Sequence, residues 1–355
     1  MINSIITGSG SYIPKKEVRN EDFLNNQFYK EDGTLIESSS EEIISKFQTI
    51  TGINSRRYLQ DTQSCSEIAS NAAERAIESA GIDREDIDMI IVAQNFGDVV
   101  EGTIQTDNVP SIASRVKHNL GIKNQFCVPY DIIFGCPGWI QGMIQAHMFI
   151  RLGEAKKCLV IGAEALSRVV DPHDRDTMIF ADGAGATIIE AKEESTKRGI
   201  LAHATVSHCL NEKDYLFMGE SYNKENKSTR YIKMNGHKIY QYALTEVPKA
   251  MKHCLDKIDM DLSQISKILI HQANEKMDQA ILKRLCRLYK LKEFPENIMP
   301  MTIDELGNSS VATVPTLYDL IMRGELKNHK INSGENILFA SVGAGMNINC
   351  FIYEA

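Results

Sequence analysis

Residues 83–94 read Asp-Arg-Glu-Asp-Ile-Asp-Met-Ile-Ile-Val-Ala-Gln, an acidic turn running into a short apolar segment. Residues 261–272 read Asp-Leu-Ser-Gln-Ile-Ser-Lys-Ile-Leu-Ile-His-Gln, the same design at an offset of 178, from 83 to 261. Each follows an amphipathic helical pattern. In the first, Ile68, Ala72, Ala73, Ala76, Ile77 and Ala80 recur at helical spacing, Ser64 and Glu67 form a capping box, and Gly81 marks the stop. In the second, Tyr240, Ala243, Leu244, Val247, Ala250, Met251, Cys254, Leu255 and Ile258 do the same. The offset recurs between 158–165 (CLVIGAEA) and 336–343 (NILFASVG). Short strands that are apolar throughout are those buried on both faces. The pattern therefore predicts an α/β protein of two duplicated αβ halves, 1–195 and 196–355, with sheets between helical layers.

Composition agrees with a soluble globule. The 355 residues are 43% hydrophobic and 24% charged, with 23 Gly and 9 Pro, which excludes disordered and collagen-like chains. No apolar run reaches the ~20 residues of a membrane span, and the opening MINSIITGSGSYIP reads as a strand rather than a secretory leader. A net charge of -8 argues against a dedicated nucleic-acid binder. Eight scattered Cys with no CxxC pair favour reduced thiols in the cytoplasm over bridges or a zinc site.

Chemistry is expected where the two copies differ. Position 93 is Ala in the first and His271 in the second. The sharpest local feature is Phe134-Gly135-Cys136-Pro137-Gly138-Trp139 ahead of an apolar helical stretch. Pro suits a first helical position, so Cys136 is expected at a helix N-terminus that lowers its thiol pKa. The other seven Cys read as small hydrophobes. Phe at 134 breaks the GxSxG pattern of a hydrolase elbow. Asn308, in Leu306-Gly307-Asn308-Ser309-Ser310, opens a further helix, and Gly343-Ala344-Gly345 can bring backbone amides close to a reacting oxygen.

These motifs resemble, in order and over the whole chain, the β-ketoacyl-[acyl-carrier-protein] synthase III family of the thiolase superfamily. Further matching segments are Gly8–Pro14, Thr51-Gly52-Ile53 with Arg56-Arg57, Asp171-Pro172-His173-Asp174-Arg175, Phe180–Ala186 and His271-Gln272-Ala273-Asn274. The resemblance implies a thiolase fold in a layered α-β-α-β-α arrangement, usually dimeric, with Cys136, His271 and Asn308 as catalytic residues. It implies an oxyanion hole from the backbone of Cys136 and Ala344, and a pantetheine or coenzyme A arm gripped at Arg175 and His237. No metal or other cofactor is implied; acyl and malonyl thioesters and acyl carrier protein are the partners.

Some positions depart from the family. Lys46 and Ile50 stand where Trp and Arg often hold coenzyme A, Val109 loosely matches a Phe that limits the acyl pocket across the dimer, and extra loop lies around 26–45, 96–108 and 211–230. A longer or carrier-bound primer is the alternative these suggest, as in relatives that make dialkylresorcinol- or aryl-polyene-type lipids. A degradative thiolase would need a Cys near 341, which is Ser, and a silent ketosynthase partner subunit usually lacks the nucleophile. Lys276, Lys283, Arg287 and Lys290 fall on one helical stripe after His271, a candidate docking face for an acidic carrier protein, with Met277, Ile281, Leu285 and Leu288 packed inward.

Overall fold

The structure is a computed structural model that describes residues 1–225, 228–292 and 296–355. Five strands form the first half in the order Val128–Ile132, Met89–Ala93, Lys157–Ala165, Asp182–Glu193, Ile2–Tyr12. Four form the second, Ile265–Ile270, Asn336–Gly343, Asn347–Glu354 and Gly199–Ser207. The pairings repeat. Met89–Ala93 runs parallel to Lys157–Ala165, as Ile265–Ile270 does to Asn336–Gly343, and antiparallel partners follow in both. Where the first half has its edge strand, the second has, among the described residues, the Ile268 amide donating to the Ile298 carbonyl at 2.8 Å. The two sheets join at one residue pair, Ser4 with Gly199.

Alternation along the strands sets the layers. Ile90, Val92, Leu159 and Ile161 pack outward beneath the helices Cys65–Ala80 and Ile112–Asn119. Ile268, Ile270, Leu338 and Ala340 pack beneath Gly236–Asp256 and Glu275–Leu288 on the other side. The remaining faces, with Ile91 and Val160 from one half and Leu269 and Phe339 from the other, close on a shared central layer, the helices Gly138–Leu152 and Thr313–Met322. The order is α-β-α-β-α. Trp139, Tyr318, Phe339 and Phe351 cluster at its centre, the last two stacked at 4.3 Å between centroids.

Local signals were reliable. Ser64 and Glu67 form the capping box of the first amphipathic helix, and Gly81 ends it in the left-handed conformation. The opening segment is the long strand Ile2–Tyr12. Among the described residues no helix is long and apolar enough to cross a membrane. Six cysteines are buried as expected of small hydrophobes, but Cys209 is exposed.

Candidate active site

The first half's edge strand leads into Gly135, whose φ of +65° is left-handed. A Cβ there would lie 2.7 Å from the Ala344 amide nitrogen, and one on Gly343 would lie 2.4 Å from the Cys136 amide nitrogen. Two glycines thus let the turn bearing Cys136 and the turn after Asn336–Gly343 meet backbone to backbone. Pro137 is the N-cap and the helix begins at Gly138, one residue later than the sequence reading. The Cys136 thiol does not show the expected lowering. Burial pushes it up to about 11, against opposing hydrogen bonds from Ser310 and its own amide. Enclosure of the sulfur raises it, because desolvation penalises the charged form directly.

His271 ends the strand Ile265–Ile270, its amide donating to the Ala340 carbonyl at 2.9 Å, and it is 4% exposed. Burial lowers its pKa to about 4, opposed by a backbone hydrogen bond to Ser310, so the imidazole is neutral at pH 7. Among the described residues its Nδ1 has no hydrogen-bond partner. Asn308 follows Gly307, whose φ of +66° and close approach to Arg56 exclude a side chain. Backbone bonds to Ile179 and Ala181, both 2.8 Å, hold Asn308 in place. Its Oδ1 accepts the Ser310 amide at 2.8 Å, which leaves Nδ2 as its donor end. Ser310 itself is a non-glycine residue at φ +52°. It touches all three candidates: its hydroxyl donates to the Cys136 sulfur at 3.3 Å, its amide donates to Asn308, and its backbone meets His271. In the sequence Ser310 stands within Gly307-Asn308-Ser309-Ser310 with no local signal of this role.

Two cavities flank this cluster. One of about 180 Å³ opens on Cys136, walled by Phe96, Leu166, Phe180, Leu216, Phe217 and Ile232. Its hairpin wall pairs Leu216–Glu220, inside the extra 211–230 segment, with Arg230–Met234, which runs on past it. Val109 is not among its walls; it is 87% exposed. The other, about 360 Å³, is a largely apolar slot with Ile43, Phe47, Ile50 and Met277 on its sides and Lys46, Arg175, His237 and Asn274 among its polar groups. Both residues expected to grip a pantetheine arm therefore line one slot. Lys233, fully buried against Asp171 and Asp174, ties the hairpin to the Asp171–Arg175 segment.

Beside the slot runs the helix Glu275–Leu288. Lys276, Lys283 and Arg287 are exposed and, among the described residues, form no ion pair. Two expectations fail at its end. Lys290 lies past the last helical residue with φ +59°, so the helical projection that put it on the stripe does not apply. Leu288 is 43% exposed rather than packed inward.

Residues 130–208 match the family 3-oxoacyl-[acyl-carrier-protein] synthase III, and residues 255–355 match its C-terminal region. The chain is 32% identical over 348 residues to a β-ketoacyl-[acyl-carrier-protein] synthase III of Ehrlichia canis, covering 98% of this chain and 97% of that protein. The chain belongs to the synthase III family. Its fold matches the Aquifex aeolicus synthase III with a TM-score of 0.79 at 27% identity, covering 99% and 100% of the two chains. The Thermus thermophilus synthase III matches at 0.80 and 26%, with 99% of each chain covered. Synthase III members are condensing acyltransferases, and the layered fold here is theirs.

Proposed function

We propose that this synthase III family member loads a short acyl primer on Cys136 and condenses it with malonyl-acyl carrier protein to give a 3-oxoacyl-acyl carrier protein. The observation that carries this reading is the convergence of a thiol, a neutral imidazole and a fixed amide on Ser310. Cys136 gives up its proton and its sulfur attacks the donor thioester carbonyl. The new C–S bond forms as the donor's breaks, and the proton leaves on the donor thiol. Malonyl thioester then loses carbon dioxide, and negative charge builds on its thioester oxygen. The Asn308 Nδ2 group can donate to that oxygen, as can the single N–H of neutral His271 once it turns from the Ser310 backbone to the substrate, binding the enolate better than the ground state. The enolate carbon attacks the acyl-Cys136 carbonyl, whose oxyanion is held by the Cys136 and Ala344 amides. Collapse of that adduct breaks its C–S bond, releases the product and returns the sulfur as thiolate, which takes a proton from water to restore the thiol.

The pantetheine arm would pass through the slot at Arg175 and His237, with the carrier seated on Lys276, Lys283 and Arg287. The cavity at Cys136, about 180 Å³, is little larger than the ~150 Å³ that accommodates benzene. That favours a primer of roughly six carbons or fewer over the long-chain alternative. The strand Val128–Ile132 is the sheet's outer strand, unpaired on one side among the described residues and flanked by exposed Phe126 and Ile133. An unprotected apolar edge suits pairing with a second copy, and we assign it to a homodimer in which exposed Val109 would face the partner's acyl cavity. The free thiols suit the cytoplasm. Incubating the protein with acyl thioesters of graded length and weighing it intact tests the reading. A short acyl group on Cys136, transferred to product only when malonyl-carrier is added, is expected; no adduct at Cys136 with any donor would overturn it.

A further inference from the structure

A buried chain of hydrogen bonds that the reaction above does not use ends on the Cys136 sulfur. It starts at Glu164, in the strand Lys157–Ala165, which is 1% exposed. One carboxyl oxygen, Oε1, accepts the Asn95 amide at 2.5 Å and Asn95 Nδ2 at 3.1 Å, while Oε2 has no partner among the described residues. Asn95 lies two residues past Ala93, on the wall of the Cys136 cavity. Its Oδ1 accepts the Gly135 amide at 3.1 Å, and its Nδ2 also reaches the Ser310 hydroxyl at 3.4 Å. Ser310 in turn donates to Cys136 at 3.3 Å.

The direction of these bonds matters. A seryl hydroxyl has one hydrogen. With Asn95 Nδ2 donating to the hydroxyl oxygen, that hydrogen is directed away from Asn95 and onto the sulfur. An Asn side chain turned end for end would offer Oδ1 instead, and the hydroxyl would donate to it rather than to the sulfur. Two contacts prevent the turn: Glu164 accepts from Nδ2, and the Gly135 amide donates to Oδ1. The same Asn side chain therefore ties the nucleophile's turn in one half to the Asn308–Ser310 turn in the other. Ser310 holds a left-handed backbone, a conformation costing ~1–3 kcal/mol unless its surroundings impose it.

We infer that Asn95, kept in one orientation by Glu164, is a positioning residue that directs the Ser310 hydroxyl hydrogen onto the Cys136 sulfur. The inference rests on reading Cys136 as the nucleophile, but not on which thioester it takes. Burial also pushes Glu164 up to about 8, and the titratable groups facing it are Asp182, Cys65 and Cys136.

Iodoacetamide alkylation of Cys136, followed by peptide mass mapping against pH, tests this without any substrate. Exposed Cys209 serves as the internal reference. Asn95→Ala and Ser310→Ala should each slow Cys136 alkylation roughly ten-fold or more, as expected for losing a hydrogen bond to a charged group. Both should move the pH profile upward and leave Cys209 unchanged. The double variant should be no slower than the slower single, because both cut one chain. Glu164→Gln, whose carbonyl can accept both Asn95 bonds, should keep most of the rate that Glu164→Ala loses. Wild-type alkylation in Asn95→Ala, multiplicative losses in the double variant, or Glu164→Gln as slow as Glu164→Ala would each overturn the inference. Should Asn95→Ala fail to fold, the Glu164 pair and Ser310→Ala decide alone. An enzyme with a different acyl donor would leave all these rates as stated while failing the loading experiment.

Discussion

The strand ends at Ala93 and His271 occupy equivalent places in the two halves, and only one carries a proton-handling group. Both are followed by a buried Gln that pins a neighbouring loop. Gln94 bonds Asn108, Asp131 and the Gly97 amide, whereas Gln272 bonds the Pro300 carbonyl and the Thr302 amide. The scaffold role was kept in both copies. What differs is the space beside the strand end. At Ala93 the nucleophile helix comes so close that a Cβ on Gly138 would fall 2.9 Å from the Ala93 side chain. At His271 the neighbouring turn leaves room for an imidazole. One half therefore presents a sulfur on a tightly docked helix, and the other presents donors around the place where an enolate would form.

Removing the sulfur should break the comparison most severely. Cys136→Ala is expected to fold, to form no acyl-enzyme by intact mass and to lose at least ~10⁴-fold in condensation, as nucleophile deletions do. Covalent labelling by an acyl thioester that survived in this variant would remove Cys136 from the mechanism. His271→Ala and Asn308→Ala attack the other half. Each should cost ~2.7–4 kcal/mol of barrier in condensation and spare primer loading. Lost loading with retained decarboxylation of malonyl thioester would reverse the assignment.

Acid sharpens the contrast, because His271 is buried neutral. Its folded pKa of about 4 lies below the unfolded value of about 6.5. The unfolded chain therefore binds the extra proton first as pH falls. Stability is intact above pH 6.5 and lost progressively from there to pH 4, by ~3 kcal/mol for this group. Urea melts of wild type and His271→Gln at pH 7 and pH 4 should show a smaller acid loss in the variant. An equal loss would mean that the imidazole is charged or solvated at rest.

Grafting the missing group tests whether the halves are interchangeable. Ala93→His should destabilise by more than the ~1–3 kcal/mol usual for overpacking, since Gly138 leaves no room for a ring, and it should not rescue His271→Ala. A stable Ala93→His protein in thermal melts would refute the packing argument.

Much of this architecture was legible because its signals are local. Double-sided burial made the strands of both halves read as continuous apolar runs, and the Ser64, Glu67 and Gly81 caps act within one helix. Gly135 and Cys136 stood out because a close backbone approach demands glycine. What stayed hidden depends on partners distant in sequence. The Cys136 thiol is governed by enclosure, and Ser310 reaches it from 174 residues away. Asn95 and Glu164 have unremarkable neighbours in sequence and acquire their geometry only when two halves close on each other. The helix end after Leu288 was misjudged for the opposite reason. A periodic charge pattern continued past the point where the backbone leaves the helix, and no Gly or Pro marked the stop.

That helix end supplies the smallest and most discriminating test. The first two basic residues of the stripe, Lys276 and Lys283, and Arg287 in the last turn share one rigid helix, while Lys290 has left it. Carrier proteins are expected to be acidic, and this chain is net negative at -8, so long-range attraction is not available from overall charge. Docking must use a local positive face. Exposed charges interact weakly one by one, so the combined variant Lys276→Glu with Arg287→Glu should raise KM for malonyl-carrier several-fold and leave kcat nearly unchanged. The effect should shrink with added salt, because screening at 0.1–0.15 M acts over ~8–10 Å. A small malonyl thioester mimic, which never touches the helix surface, should be turned over as by wild type. Lys290→Glu separates geometry from mere charge. It makes the same change per residue as either single reversal but sits off the helical stripe, so its KM shift should be smaller than that of Lys276→Glu. Equal shifts for Lys290→Glu and Lys276→Glu would mean that the carrier senses diffuse charge rather than a docked helix face. Equal losses with carrier-bound substrate and mimic would mean that the reversals disturb the slot itself.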